Sequence, residues 1–193
     1  MYALLRENLS RKANFTEEQF EQIEQAVQEE VRVKRKTKIL SEGEPCNNIW
    51  FVLQGCFRTY TIDAKGLEHV IMFSFQDNWV NDLYSFTTGR PTLMNIEAIE
   101  DSVAIRFSKE GFEHLYAAVT PLERVMRLQI QNAYIALQRR HYATLSSSAE
   151  ERYAELLQSQ PGISQHVPLI YIASYLGITP ESLSRIRKQL SLK

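Results

Sequence analysis

Residues 48–75 read NIWFVLQGCFRTYTIDAKGLEHVIMFSF, and this stretch constrains the fold more than any other. Ile49-Trp50-Phe51-Val52-Leu53 is apolar at every position, so a strand made from it must be covered on both faces. Gly55 follows directly, where a missing Cβ permits a bulge or the close approach of another backbone. Asp63-Ala64-Lys65-Gly66 has the chemistry of a hairpin turn, its glycine able to take positive φ. Similar runs, separated by turn clusters, extend from about residue 30 to 107. NIEAIEDSVAIRF is one of them. Short strands at such spacing, without long helical patterns between them, predict an antiparallel sandwich or barrel.

Around this β-rich body the periodicity is helical. FTEEQFEQIEQAVQEE, residues 15–30, places Phe15, Phe20, Ile23 and Val27 near helical spacing, and Thr16 with Gln19 forms a capping-box pattern. The run Lys34-Arg35-Lys36-Thr37-Lys38 alternates between faces, so it predicts a lysine-guarded edge strand rather than one basic surface. Ser108-Lys109-Glu110-Gly111-Phe112 opens a short helix. PLERVMRLQIQNAYIALQRRHYATL, residues 121–145, predicts a helix roughly 37 Å long, with Thr120 as cap and Pro121 in its first turn. Met126, Ile130, Ala133 and Leu137 recur along it at coiled-coil-like steps. Such a stripe can pack on its own domain. A sheet of this size cannot cover all of it, and pairing with a second copy is the expectation adopted. Ser146-Ser147-Ser148 interrupts the pattern as a hinge candidate, and a further helix runs from about 149 to 158 before Pro161-Gly162.

The chain closes on IASYLGITPESLSRIRKQL, residues 172–190. Pro168 can open a helix whose inner face is Leu169, Ile172 and Leu176, with Ala173 small enough for a second helix to cross closely. Gly177 supplies the positive φ that ends it. Thr179 caps a second helix with Pro180 in first position and Leu183, Ile186 and Leu190 inward. Glu181, Arg185 and Lys188 then share the outward face. These features together predict a helix-turn-helix, whose second helix enters the major groove by its first turn. Glutamate can accept from cytosine N4, and arginine can grip guanine O6 and N7. Glu181 and Arg185 are therefore the expected base readers. Arg187, Lys188 and Lys193 would meet phosphates, with Ser182 and Ser184 as adaptable donors. The alternative is an ordinary helical hairpin with a solvated salt bridge.

The whole chain carries a net charge of −1, yet residues 166–193 hold four basic side chains against Glu181 alone. A small basic end on an acidic body fits a local polyanion contact. Apolar content of 44% allows a buried core. No apolar run approaches the ~20 residues that cross a bilayer, and charges break the N-terminal stretch too early for a signal peptide. A cytoplasmic protein without membrane contact is expected. Cys46 and Cys56 form no metal or disulfide motif, the four histidines are scattered, and only His69 lies in the β region. No metal, no cofactor and no enzymatic activity are expected.

The helix-turn-helix, together with Gly43 and NIWFVLQGCFR, resembles the Crp/Fnr family of bacterial transcription factors. The resemblance covers nearly the whole chain and implies an α+β fold. Its parts would be an antiparallel β-roll or jelly-roll sensor domain (1–120), a long dimerisation helix (121–145) and a helix-turn-helix domain (146–193). It further implies a homodimer, a near-palindromic double-stranded DNA operator, a small-molecule effector and RNA polymerase as a partner. In the DNA-reading helix Glu181 and Arg185 match the family pattern, whereas Pro180 replaces its first arginine. No sequence remains after Lys193 for the usual β-wing. The family's effector pocket falls on Asn81, Asp82, Leu83, Arg90, Thr92, Leu93 and Asn95. Asp82 can replace the glutamate that holds a ribose, but Thr92 and Leu93 stand where arginine and serine are expected, and Arg90 comes two residues early. A phosphate beside Asp82 would lack a cation, at a cost of several kcal/mol, roughly. Cyclic AMP in the family manner is therefore not expected, and any effector is expected to be neutral, differently oriented or absent. The rival reading is a ligand sensor acting through protein contacts without DNA.

Overall fold

The structure, a computed structural model, describes residues 2–190. It divides into two compact units, Met1–Thr59 with Phe73–Asn132, and Tyr60–Met72 with Ala133–Lys193. Two four-stranded sheets form the β-roll. One has the order β1 (Glu29–Val33), β8 (Ser102–Ser108), β3 (Asn48–Gln54), β6 (Trp79–Val80). The other has the order β2 (Lys38–Leu40), β7 (Asn95–Ala98), β4 (Cys56–Ile62), β5 (Glu68–Phe75).

The register of β3 on β8 explains why every position of the apolar run is used. Ile49 faces Phe107 and Phe51 faces Ile105 on one side of the sheet, while Trp50 faces Arg106 and Val52 faces Ala104 on the other. The first side packs against Trp79 and against Phe112 of α4 (Lys109–Ala118). Phe51–Trp79 and Phe107–Phe112 ring centroids lie 5.0 and 5.6 Å apart. Ile49, Trp50, Phe51 and Val52 are all buried, as an apolar run without alternation requires. Gly55 adopts φ +92°, and a Cβ there would lie 2.8 Å from the Ser102 Cα. The close approach read from the sequence is thus a contact that only glycine permits.

Three local expectations change. A helix α1 (Ala3–Ser10) precedes the amphipathic one and buries Leu5 and Leu9 completely. The second helix, α2, covers only Glu17–Gln25, although its Thr16–Gln19 capping box forms with both bonds. From Glu29 the chain pairs with β8, because Val31 and Val33 alternate and a partner strand is available. The Lys34–Lys38 run is mostly turn rather than strand. Lys36 takes φ 67°, Lys34 pairs with Asp101 at 2.9 Å, and only Lys38 enters β2.

The helix α5 spans Thr120–Ser146. Leu122, Val125 and Met126 pack into the core of the larger unit. Ser148 then caps α6 (Ala149–Ser159) in a second capping box with Glu151. The short α7 (Ile163–His166), α8 (Leu169–Leu176) and α9 (Pro180–Leu190) follow. Their core is Tyr153, Leu156, Ile163, Val167, Ile172, Ala173, Leu176 and Leu183. Arg152 joins the α6 start to the α8 end, donating to the Ser147 carbonyl at 2.7 Å and the Leu176 carbonyl at 3.1 Å.

Candidate nucleic-acid interface and effector cavity

The turn between α8 and α9 follows from three residues. Gly177 takes φ 68° at the α8 C-terminus, and the Ile178 amide donates to the Ala173 carbonyl at 3.0 Å. The Thr179 hydroxyl accepts from the Ser182 amide at 3.2 Å, so it caps α9 with Pro180 as the first helical residue. Ala173 and Leu183 are wholly buried, which brings the two helices into close contact.

With Leu183 fixed inward, helical geometry turns Glu181, Arg185 and Lys188 outward, and all three are exposed together with Arg187. Hydrogen bonds from its own backbone amide and from the Thr179 hydroxyl hold the Glu181 carboxyl below its usual value, so it remains ionised at neutral pH. Arg185 Nη2 donates to the Ser182 hydroxyl at 3.3 Å, and the Ser184 hydroxyl is spent on the Pro180 carbonyl at 2.9 Å. Lys193 lies outside the described residues.

On α5 the expected stripe divides. Met126 is buried among its own unit's side chains, a correction to its assignment as a pairing residue, because the helix start lies over the core. Ile130 and Leu137 are 44% and 54% exposed. Ala133 is exposed too, and Tyr134 and Ile135 beside it extend the uncovered apolar surface.

The residues read as an effector pocket do not converge on one space. Asp82 and Thr92 are buried together, the Thr92 hydroxyl donating to Asp82 Oδ2 at 2.5 Å. Asp82 Oδ1 accepts from the Tyr84 amide at 3.0 Å as the cap of α3 (Leu83–Thr88), a helix not read from the sequence. Asn95 is buried and accepts from Lys38 Nζ at 2.9 Å. Leu83, Arg90 and Leu93 are exposed. Thr92 is further tied down through its backbone, its carbonyl accepting from Gly43 and its amide donating to Glu44. A cavity of about 330 Å³ lies beside this group, walled by Ile39, Leu40, Trp50 and Ile96 and edged by Asn48 and Asn81. Of the seven expected residues it uses Asn81 alone. Sequence reading also missed the buried ion pair of Arg58 with Glu97, 3.1 Å apart. A charged residue inside an apolar strand, CFRTYTI, was the available signal.

Residues 30–118 match the cyclic nucleotide-binding domain family. The anaerobic regulatory protein of Pasteurella multocida (strain Pm70) is 23% identical, over 90% of this chain and 67% of its own length. FixK2 from Bradyrhizobium japonicum shares the fold at TM-score 0.73 and 20% identity, over 85% of this chain and 84% of that one. The c-di-GMP-responsive global regulator CLP of Xanthomonas campestris does so at TM-score 0.73 and 14% identity, over 92% of both chains. A crp/fnr-family protein from Eubacterium rectale gives 0.71 at 17%, over 92% of this chain and 84% of that one. The β-roll is therefore a domain of the cyclic nucleotide-binding class. With its long helix and terminal helical domain, the chain as a whole shares the fold of these solved structures.

Proposed function

We propose that this protein is a homodimeric, sequence-specific DNA-binding transcriptional regulator. The observation that carries the reading is the outward ridge of Glu181, Arg185 and Lys188 on a helix whose opposite face is locked by Leu183. One turn separates Glu181 from Arg185, so the pair addresses neighbouring positions of a G·C-containing half-site. Arg187 and Lys188 neutralise phosphates, which makes binding salt-dependent. The second copy joins through Ile130, Ala133 and Leu137 of the helix 121–145. It presents an equivalent ridge from the domain 146–193, so the operator is a near-palindrome with half-sites about 34–36 Å apart.

The domain 1–120 takes an effector other than a cyclic nucleotide bound in the family manner. Among the described residues no lysine or arginine lines the cavity, Glu44 at its edge disfavours an anion, and Asp82 is already satisfied by Thr92 and the Tyr84 amide. An uncharged molecule held by the Asn48 and Asn81 amides against Trp50 fits this lining. Its effect on DNA affinity arises only if it favours one arrangement of the dimer.

Selection of bound sequences from a random duplex library by the full chain tests the reading. Wild type recovers a near-palindrome, and Arg185→Ala loses discrimination at one base pair per half-site, by about 1–3 kcal/mol. An unchanged sequence preference in Arg185→Ala removes the assignment.

A further inference from the structure

The hydroxyl of Ser174, in the last turn of α8, is spent on the start of β5, beside the β4–β5 turn. It accepts from the Val70 amide at 2.9 Å and donates to the Glu68 carbonyl at 2.8 Å. A serine inside a helix ordinarily bonds back to the carbonyl four residues earlier, as Ser184 does on α9. Both bonds of Ser174 instead leave the helix. The carbonyl of residue 68 and the amide of residue 70 project from the same side of a strand, and β5 is the outermost strand of its sheet. One hydroxyl thus satisfies a pair of groups that would otherwise call for another strand.

A second contact lies alongside. Arg140 of α5 donates from Nη1 to the Ile71 carbonyl, and its guanidinium lies over the Tyr175 ring, 4.6 Å from the centroid. Three neighbouring residues of β5 are therefore held by Ser174 and by Arg140, and Arg140 also grips the residue after Ser174. The start of β5 and α8 belong to the same compact unit.

We propose that the start of β5 is a positioning clamp for the DNA-reading helices, with Ser174 and Arg140 as its positioning residues. This deepens the DNA-binding function and rests on it. The clamp leaves Glu181, Arg185 and Lys188 exposed, so it orients the reading helix without masking it. Orientation matters when two heads must engage one duplex together, because only then does a misdirected second head lose the benefit of the first. Along the chain β4 and β5 continue unbroken into Cys56–Thr59 and Phe73–Phe75 of the larger unit, while their link to α8 is the hydrogen bonds of Ser174.

The test compares the full-length wild type with Ser174→Ala, Arg140→Met and Ser174→Thr on the duplex that wild type selects, at one salt concentration. Amide exchange at Val70 reports the clamp itself. Ser174→Ala is expected to speed Val70 exchange and raise Kd on the selected duplex about three- to tenfold. Base preference and affinity for unselected duplex stay the same, and Ser174→Thr, which keeps the hydroxyl, restores both exchange and Kd. Arg140→Met raises Kd in the same direction. Fast Val70 exchange with an unchanged or lower Kd overturns the clamp while leaving the DNA reading intact. Failure of wild type to select any sequence overturns the DNA reading, and the clamp's role falls with it.

Discussion

Thr92 donates its hydroxyl to the buried carboxylate of Asp82 across 2.5 Å, in the segment that the sequence marks as the expected effector pocket. With the bond from the Tyr84 amide, this contact gives both carboxylate oxygens of Asp82 partners within the chain. Thr92→Val keeps the shape and removes the donor. It should lower the unfolding free energy by about 2 kcal/mol, the scale of a buried hydrogen bond to a charged group, measured by urea denaturation. Cyclic AMP at millimolar concentration should leave the melting temperature of the wild type unchanged. A rise of several degrees would show that the segment opens to a phosphate after all.

Gly55 lies hard against Ser102 in the β-roll. A Cβ at position 55 would stand 2.2 Å from the Ser102 Oγ, and the backbone at φ +92° is itself unfavourable for any other residue. Gly55→Ala should cost at least about 3 kcal/mol. Adding Ser102→Gly should recover only part of it, because the backbone conformation stays strained. Full recovery in the double variant would assign the whole cost to side-chain crowding.

Acid should weaken the N-terminal helices first. The Arg6 guanidinium, bonded to Glu24 at 2.8 Å, holds that carboxyl down to about 2 against an ordinary 4.5. The folded-state value lies below the unfolded one, so this contribution is complete above about pH 4.5 and is lost as pH falls toward 2. Glu24→Gln should flatten the stability profile across that window in denaturant titrations. A profile as steep as that of wild type would place the titration elsewhere.

The proposed pairing of two copies can be tested without harming the single chain. Ile130 and Leu137 are exposed on α5, so a charge at either costs the isolated chain little. Leu137→Glu should shift the protein from dimer to monomer in sedimentation velocity while the melting curve of the β-roll is kept. A dimer that persists in the Ile130→Glu, Leu137→Glu double variant would move the interface off this helix.

Lys188 offers a separate readout from Arg185. In its proposed place beside a phosphate it should contribute to every duplex alike. Lys188→Ala should therefore weaken binding uniformly and reduce the slope of log K against log salt by about 1. A change in base preference instead would make Lys188 a base reader.

Features that close within a few residues were determined by the sequence alone. The Thr16–Gln19 capping box, the Asp63–Gly66 turn and the run Gly177, Thr179, Pro180 each carry their own partners, and each forms as its local chemistry dictates. The burial of Ile49 to Val52 on both faces was equally legible, because an apolar run without alternation has no solvent side to offer. Tertiary structure decided whatever depended on a distant partner. Residues 29–33 could extend a helix or pair with β8, and the presence of Arg106 to Ser102 settled it as a strand. Met126 turned inward because the start of α5 covers the core, although its spacing matched the exposed seam. Asp82 spent itself on Thr92 and the cap of α3, and Ser174 reached a strand 104 residues away, from Val70. Spacing along one segment fixes which side chains share a face, whereas the surface that meets that face exists only once the rest of the chain has folded against it.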